Sequence, residues 1–322
     1  MNALIHNAKG RIFANMINTQ WSFPFARINA ELEFSTDEMN GRFPSLLFRS
    51  GLSKHINRLS CFCHKNDKKH FDSCIYRKLL EPTLSDMNQS DLISTQEIPR
   101  PFVIYCSQVN RKVCNLTITV FGYGVSYAGY IMASLLRMGN EGLSSDQIKF
   151  SIRNIKQGNL NLWDQEQQMI SESPKIEKLQ DIQLKPLIIG NYYLNLLSPL
   201  CMTQNGKALN EFNLKLVLKN IVRRLDFLSA CYGEGYNKTE SLALNQMIDQ
   251  SLCEAKGQSN TIQKNRYSNR QHINIDIGGI IGDYLISNLN EKELELLQMG
   301  QYFHVGKKTT FGNGCYQITI EK

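Results

Sequence analysis

The chain lacks any apolar run near the roughly 18 to 20 residues that a membrane helix requires. Its opening stretch, MNALIHNAKGRIFANMINTQ, has no continuous apolar core of the secretory kind, so a cytoplasmic protein without a membrane partner is expected. There is no P-loop, no dinucleotide-binding Gly-x-Gly-x-x-Gly fingerprint and no His-Glu-x-x-His, which removes the commonest nucleotide-binding and metalloprotease signatures. Histidine is scarce, six in 322 residues, so few side chains can exchange protons near neutral pH. Nine cysteines make an odd count, and without an export signal they read as reduced thiols rather than a disulfide framework. What remains is a globular composition, 42% hydrophobic and 20% charged, with length enough for two packed domains.

Acid is missing from two places where base is plentiful. Residues 41–80 hold nine Lys or Arg against only Asp67 and Asp72, and so carry the whole of the chain's formal +7 excess. A second stretch runs from Lys256 through Lys264, Arg266 and Arg270, with Tyr267 among the cations and no acid between Ala255 and Ile275. Concentrated positive charge attracts polyanions, because neutralising phosphates releases condensed counterions. A solvated basic surface would have the same composition.

Hydrophobic periodicity divides the chain into elements. Residues 21–34 alternate as a strand, and 41–59 read as a helix with Leu52, Ile56 and Leu59 on one face. The polar stretch 60–99 fits neither period and reads as an insertion. Strands follow at 102–108 and 113–123, then a helix over 126–138 stopped at Gly139, then a strand over 147–155. The order strand, helix, strand, strand, helix, strand is that of a ferredoxin-like domain.

The second half repeats it: a strand at 187–197, a long helix at 212–232, an extra helix at 241–255, strands at 272–277 and 280–287, a helix at 291–299 capped by Asn290 and Glu293, and a last strand at 316–320. The expectation is an α+β protein of tandem ferredoxin-like (RRM-like) domains, 1–180 and 181–322, with the cysteine-containing insertion in the first and a junction near 172–186.

The most specific local string is HVGKKTTFGNG, residues 304–314, which places Gly306, Gly312 and Gly314 immediately before a strand. Glycine admits positive φ and close backbone approach. Successive amides in such a loop can form an anion-binding nest, with Lys307 and Lys308 adding charge, or the loop can be a tight turn that simply needs glycine.

This string resembles the glycine-rich signature of the RAMP superfamily. GGIIGDYLI (278–286), LLQMG, LLSPLCMTQNG and RRLDFLSACYG (223–233) are similar, in sequence and order, to the C-terminal domain of CRISPR repeat-processing endoribonucleases. CIYRKLLEP and LTITVFGYGVSYAGYIMASLLRMGNEG look like their N-terminal half, so the resemblance covers about residues 20 to 320. It implies two ferredoxin-like domains whose facing surfaces hold CRISPR repeat RNA and cleave it once per repeat without a catalytic metal. It also implies a link to a CRISPR effector complex, whereas a RAMP-fold subunit that binds guide RNA without cutting it is the alternative.

Metal-free cleavage needs a group to take the 2′-hydroxyl proton, one to protonate the leaving 5′ oxygen, and cations for the added charge. His55 falls about 60° from Leu52 on the first helix, at the edge of its apolar stripe and able to face a cleft. His304 has three open roles: catalysis, RNA contact or bracing the loop. Tyr76 is either a catalytic helper or a buried aromatic anchor. His6 lies in an unpatterned segment, and His272 reads as a phosphate contact. Cys61, Cys63, His70 and Cys74, with His64 nearby, offer enough soft ligands for one structural zinc, or are free cysteines in a loop. A zinc-stabilised nucleic-acid binder acting through residues 60–80 alone is a remoter reading.

Overall fold

The computed structural model describes residues 20–36, 44–63, 70–87, 98–268 and 273–321, except for the side chains of 266–268, 273 and 274. His6, His64, His272 and Arg270 lie outside the described residues, as does the side chain of Arg266.

Strand β1 (Phe25–Phe34) alternates FARINAELEF, burying Ala26, Ile28, Ala30, Leu32 and Phe34 and turning Arg27, Asn29 and Glu31 to the other face. It lies at the centre of an antiparallel sheet ordered β2-β3-β1-β4-β5, built with β2 (Phe102–Gln108), β3 (Val113–Phe121), β4 (Phe150–Gln157) and β5 (Leu160–Asn161). Helices α1 (Pro44–Ser60) and α3 (Ala128–Glu141) cover one face. Phe48, Leu52 and Ile56, spaced by four residues, form the buried stripe of α1. The short helix α2 (Ile75–Leu80) lies within the stretch expected to be an irregular insertion. A short hairpin, β6 (Trp163–Asp164) with β7 (Met169–Ile170), follows the sheet and buries Trp163.

The stop expected at Gly139 is instead three residues on, at Gly142 with φ 89°. Gly139 stays helical because a Cβ there would come within 2.5 Å of the Phe150 carbonyl oxygen, so its role is close packing of α3 on β4.

The second half has the sheet order β11-β16-β8-β17, so the strand of each half that comes first in sequence lies between the third and the last, and the second is at the edge. Its strands are β8 (Tyr192–Leu196), β11 (Glu254–Gly257), β16 (Asp283–Ser287) and β17 (Tyr316–Ile320), with a small β9 (Thr203–Gln204) and β10 (Lys207–Ala208) hairpin beside them. Helix α4 (Leu214–Tyr232) buries Leu218, Leu225 and Leu228, each adding roughly 2 kcal/mol of apolar transfer. It packs against α6 (Glu291–Phe303), which carries the Asn290–Glu293 capping box expected from the sequence. Asn237, in an Asn-x-Thr triplet, caps α5 (Lys238–Gln250) by accepting from the Thr239 and Glu240 amides.

The basic stretch is not two simple strands. Beyond β11, β12 (Asn260–Ile262) and β13 (Asn265–Ser268) run out, and β14 (Ile273–Asp276) and β15 (Gly279–Ile281) return, pairing rung by rung. The described residues 254–268 and 273–287 therefore form two runs of one jointed arm rooted in the sheet.

The halves share a junction. Trp21, Phe23 and Phe25, ahead of and within the first strand, belong to the core of the second half. Trp21 Nε1 donates to Asp226 Oδ1 at 2.6 Å, and the Ser22 amide donates to Ser229 Oγ at 2.9 Å, both on α4. Phe303 meets Phe23 and Phe25 edge-on, with centroids 5.1 and 5.4 Å apart.

Candidate nucleic-acid interface

The helix-free face of the first sheet is polar because β1, β2 and β3 alternate. Where it approaches the second half, a cleft of about 570 Å³ forms. Arg27, Glu31, Tyr105 and Lys156 line one side, and Gln301 and Tyr302 line the other. The Arg27 guanidinium lies 4.7 Å over the Tyr302 ring, a cation–π contact that holds a positive charge at the mouth. Arg153 grips Glu33 with two hydrogen bonds, at 2.7 and 3.0 Å, and reaches Glu31 at 3.2 Å, so part of the acid on this face is already neutralised. The Tyr105 hydroxyl points to the Leu197 carbonyl at 3.4 Å, and burial pushes its pKa upward. These residues were missed in the sequence. The signal was there in the polar phase of FARINAELEF, but the partner side of the cleft comes from residues about 270 positions later.

The glycine loop joins the cleft to α1. The amides of Val305, Lys307, Phe311, Gly312 and Gly314 all donate to backbone carbonyls, and that of Cys315 donates to Ser198 Oγ. Those six donors are spent within the protein, so the turn reading, and not the open nest, describes this part of the loop. Gly306, Gly312 and Gly314 have φ of 84°, 97° and 73°. A Cβ on Gly312 would come within 2.4 Å of Ser45 Cβ on α1, so this glycine lets the second half seat on the first. Lys307 is exposed, whereas Lys308, itself left-handed at φ 63°, donates to the Asp276 carbonyl at the end of β14, the joint before β15.

The two histidines expected to do chemistry are buried. His55 is 1% exposed, its Nδ1 3.8 Å from Glu141 Oε1 at the end of α3, and burial lowers its pKa. It does not face the cleft. The apolar stripe of α1 is wide enough to take it in, because α3 covers it. His304 is 4% exposed with Nδ1 3.2 Å from the Asn313 carbonyl, and burial lowers its pKa to about 3. Of its three open roles the geometry favours bracing the loop. Arg224, half-buried, lies beside it, donating to the Phe303 carbonyl and Thr309 Oγ1, and desolvation of its guanidinium lowers its pKa to about 10. Tyr76 is in neither place, since its ring stacks obliquely on His70, 5.1 Å away.

Along the arm, Lys256 is exposed and Lys264 is half-buried, lining a second groove of about 430 Å³ with Asn195, Asn260 and Asp283. Cys61, Cys63, His70 and Cys74 do come together, each ligand atom within 4.8 Å of the others. Among the described residues no helix is long and apolar enough to cross a membrane.

Two antiparallel sheets of matching strand order, joined by a buried aromatic junction and a glycine turn, define a mixed α/β protein with a polar cleft between its halves. Residues 23–180 match the AF_1859 N-terminal domain family, and residues 194–316 match the CRISPR-associated endoribonuclease Cas6 family. An uncharacterized protein of Archaeoglobus fulgidus is 25% identical over 310 residues, covering 92% of this chain and 99% of its own.

The fold resembles that of Thermus thermophilus Cas6, with a TM-score of 0.54 at 12% identity over 92% of this chain and 99% of that one. A Cas6 product complex gives a TM-score of 0.55 at 12% identity, covering 94% and 100% of the two chains. A second Cas6 product complex gives 0.51 at 16% identity, covering 92% and 99%. Residues 194–316 thus carry a domain of the Cas6 family, and the fold of the whole chain is shared with Cas6 structures.

Proposed function

We propose that this protein is a cytoplasmic endoribonuclease that binds CRISPR repeat RNA across two ferredoxin-like domains, residues 1–180 and 181–322, and cuts precursor transcripts into guide RNAs. The observation that carries this reading is the cleft. It is open and polar, walled by both halves, and has Arg27 and Lys156 set against Tyr105 and Tyr302. Arginine and lysine supply phosphate contacts, and tyrosine faces supply stacking for unpaired bases, the two elements by which RNA is commonly held. The basic arm and the exposed Lys307 extend the cationic surface beyond the cleft.

The chemistry needs no metal. A base removes the 2′-hydroxyl proton, the oxygen attacks the adjacent phosphorus, and the 5′ oxygen leaves with a proton, giving a 2′,3′-cyclic phosphate and a 5′-hydroxyl. Arg27 and Lys156 are the cleft cations able to carry the added charge on the phosphorane.

The second reading, a subunit that holds guide RNA within a CRISPR effector complex without cutting it, is favoured by one observation. His55 and His304 are both buried, and among the described residues no histidine lines the cleft.

Incubation with the cognate repeat RNA in excess EDTA separates the readings. A 5′-hydroxyl fragment and a cyclic phosphate are expected from the wild type. Binding without any fragment selects the non-cutting subunit, and absence of salt-sensitive binding overturns both.

A further inference from the structure

We propose that Cys61, Cys63, His70 and Cys74 hold one zinc ion, which ties the end of α1 to the start of α2 and so braces α2 against the junction of the two halves. Three sulfurs and one imidazole nitrogen meet at a single point. The Cys61 and Cys74 sulfurs lie 3.3 and 3.7 Å from His70 Nδ1, and all four ligand atoms fall within 4.8 Å of one another. A tetrahedral zinc, with Zn–S of about 2.3 Å and Zn–N of about 2.0 Å, keeps its ligands about 3.5 to 3.8 Å apart, so the cluster needs little movement to close on the ion. All of these cysteines are free thiols. Three thiolates with one imidazole is a soft donor set of the kind that holds structural zinc.

The surroundings hold the ligands in place. The Cys61 amide continues the last turn of α1 by donating to the Asn57 carbonyl at 2.9 Å, and the Phe71 amide donates to Cys63 Sγ at 3.4 Å. The loop carrying His70 and Cys74 is clamped by Arg77, which donates to the Phe71 and Asp72 carbonyls and grips Asp86 with two bonds at 2.6 and 2.7 Å. Tyr76, packed on the His70 ring, sets the plane of the imidazole.

The far side of α2 faces the junction. The Tyr123 hydroxyl donates to the Lys78 carbonyl at 2.9 Å, and the Tyr123 ring lies edge-on to Tyr232 on α4, 5.5 Å away. Arg100 donates to the Leu80 carbonyl at 2.7 Å, and the Tyr232 hydroxyl donates to the Pro99 carbonyl. The ion therefore braces the platform on which the halves meet and takes no part in cutting RNA.

The test is metal analysis of the full chain purified in reducing buffer without chelator. About one zinc per chain is expected, and replacement by cobalt(II) should give intense sulfur-to-metal absorption in the near ultraviolet with tetrahedral ligand-field bands in the visible. Cys61→Ser and Cys74→Ser should lose the zinc, whereas Cys201→Ser, outside the cluster, should keep it. Cobalt titration of the wild-type chain gives the answer even where the serine variants do not fold. Substoichiometric zinc without cobalt–thiolate absorption, a different metal, or a disulfide among the three cysteines overturns the proposal. The readout involves no RNA, so its failure leaves the functional reading standing.

Discussion

Burial carries the His304 pKa down to about 3, so the ring is neutral throughout the physiological range. An unfolded histidine titrates near about 6.5. Between those values the unfolded chain binds a proton that the folded one refuses. Stability is therefore fully present above pH about 6.5 and falls as the pH drops, by about 1.4 kcal/mol per pH unit for this group. His55, whose pKa burial also lowers, adds to the loss with the same sign. His304→Asn, which removes the titrating ring and keeps a polar side chain, is expected to flatten the decline, measured as urea midpoints between pH 7 and 4. The same variant should keep RNA cleavage if His304 braces the loop, and abolish it if the ring transfers a proton.

Gly312→Ala should cost roughly 2 to 4 kcal/mol, read by thermal melting, because φ is 97° and Ser45 occupies the space of the new methyl. Gly158→Ala, also at positive φ but with open space around it, should cost only about 1 kcal/mol.

At the scale of elements, strands β2 and β17 are found at the bounds their periodicity gives, and the Asn290–Glu293 box starts α6 where expected. These segments carry their own signals, alternation or capping, and need nothing from elsewhere. The stop at Gly139 misled because one glycine can end a helix or let a strand approach it, and only the position of Phe150 decides which. The arm was legible as charge but not as shape, since its joints lie between short ladders that no single period describes.

If the arm lies along RNA, replacing Lys256 and Lys264 together by alanine should weaken repeat binding. It should also lower the slope of log affinity against log salt by about one to two, as two lost phosphate contacts would. Filter binding over a salt series measures it, and an unchanged slope would place the RNA elsewhere.

For the molecule as a whole, the doubled strand order was readable and the cleft was not. The cleft exists only where two halves meet, and its residues Arg27, Tyr105, Lys156 and Tyr302 come from four separated elements. Arg27→Ala with Lys156→Ala is expected to weaken repeat binding by about tenfold or more, taking at least about 0.7 kcal/mol from each of two phosphate contacts, while leaving the melting temperature nearly unchanged. Competition binding together with a melting scan separates this from a general loss of structure. The metal cluster is the opposite case. Its four ligands lie close in sequence, so candidate donors could be named early, but their convergence depends on the turn that Arg77 holds.

The bond from Trp21 to Asp226 spans 205 residues, and so binds the earliest described part of the chain to one of the later helices. During translation at about 5 to 20 residues per second, Trp21, Phe23 and Phe25 leave the ribosome roughly ten to forty seconds before α4 exists to receive them. For that interval the nascent polypeptide carries an uncovered aromatic segment, a natural client for chaperones, and its first sheet has to assemble around a strand whose leading end is still unanchored.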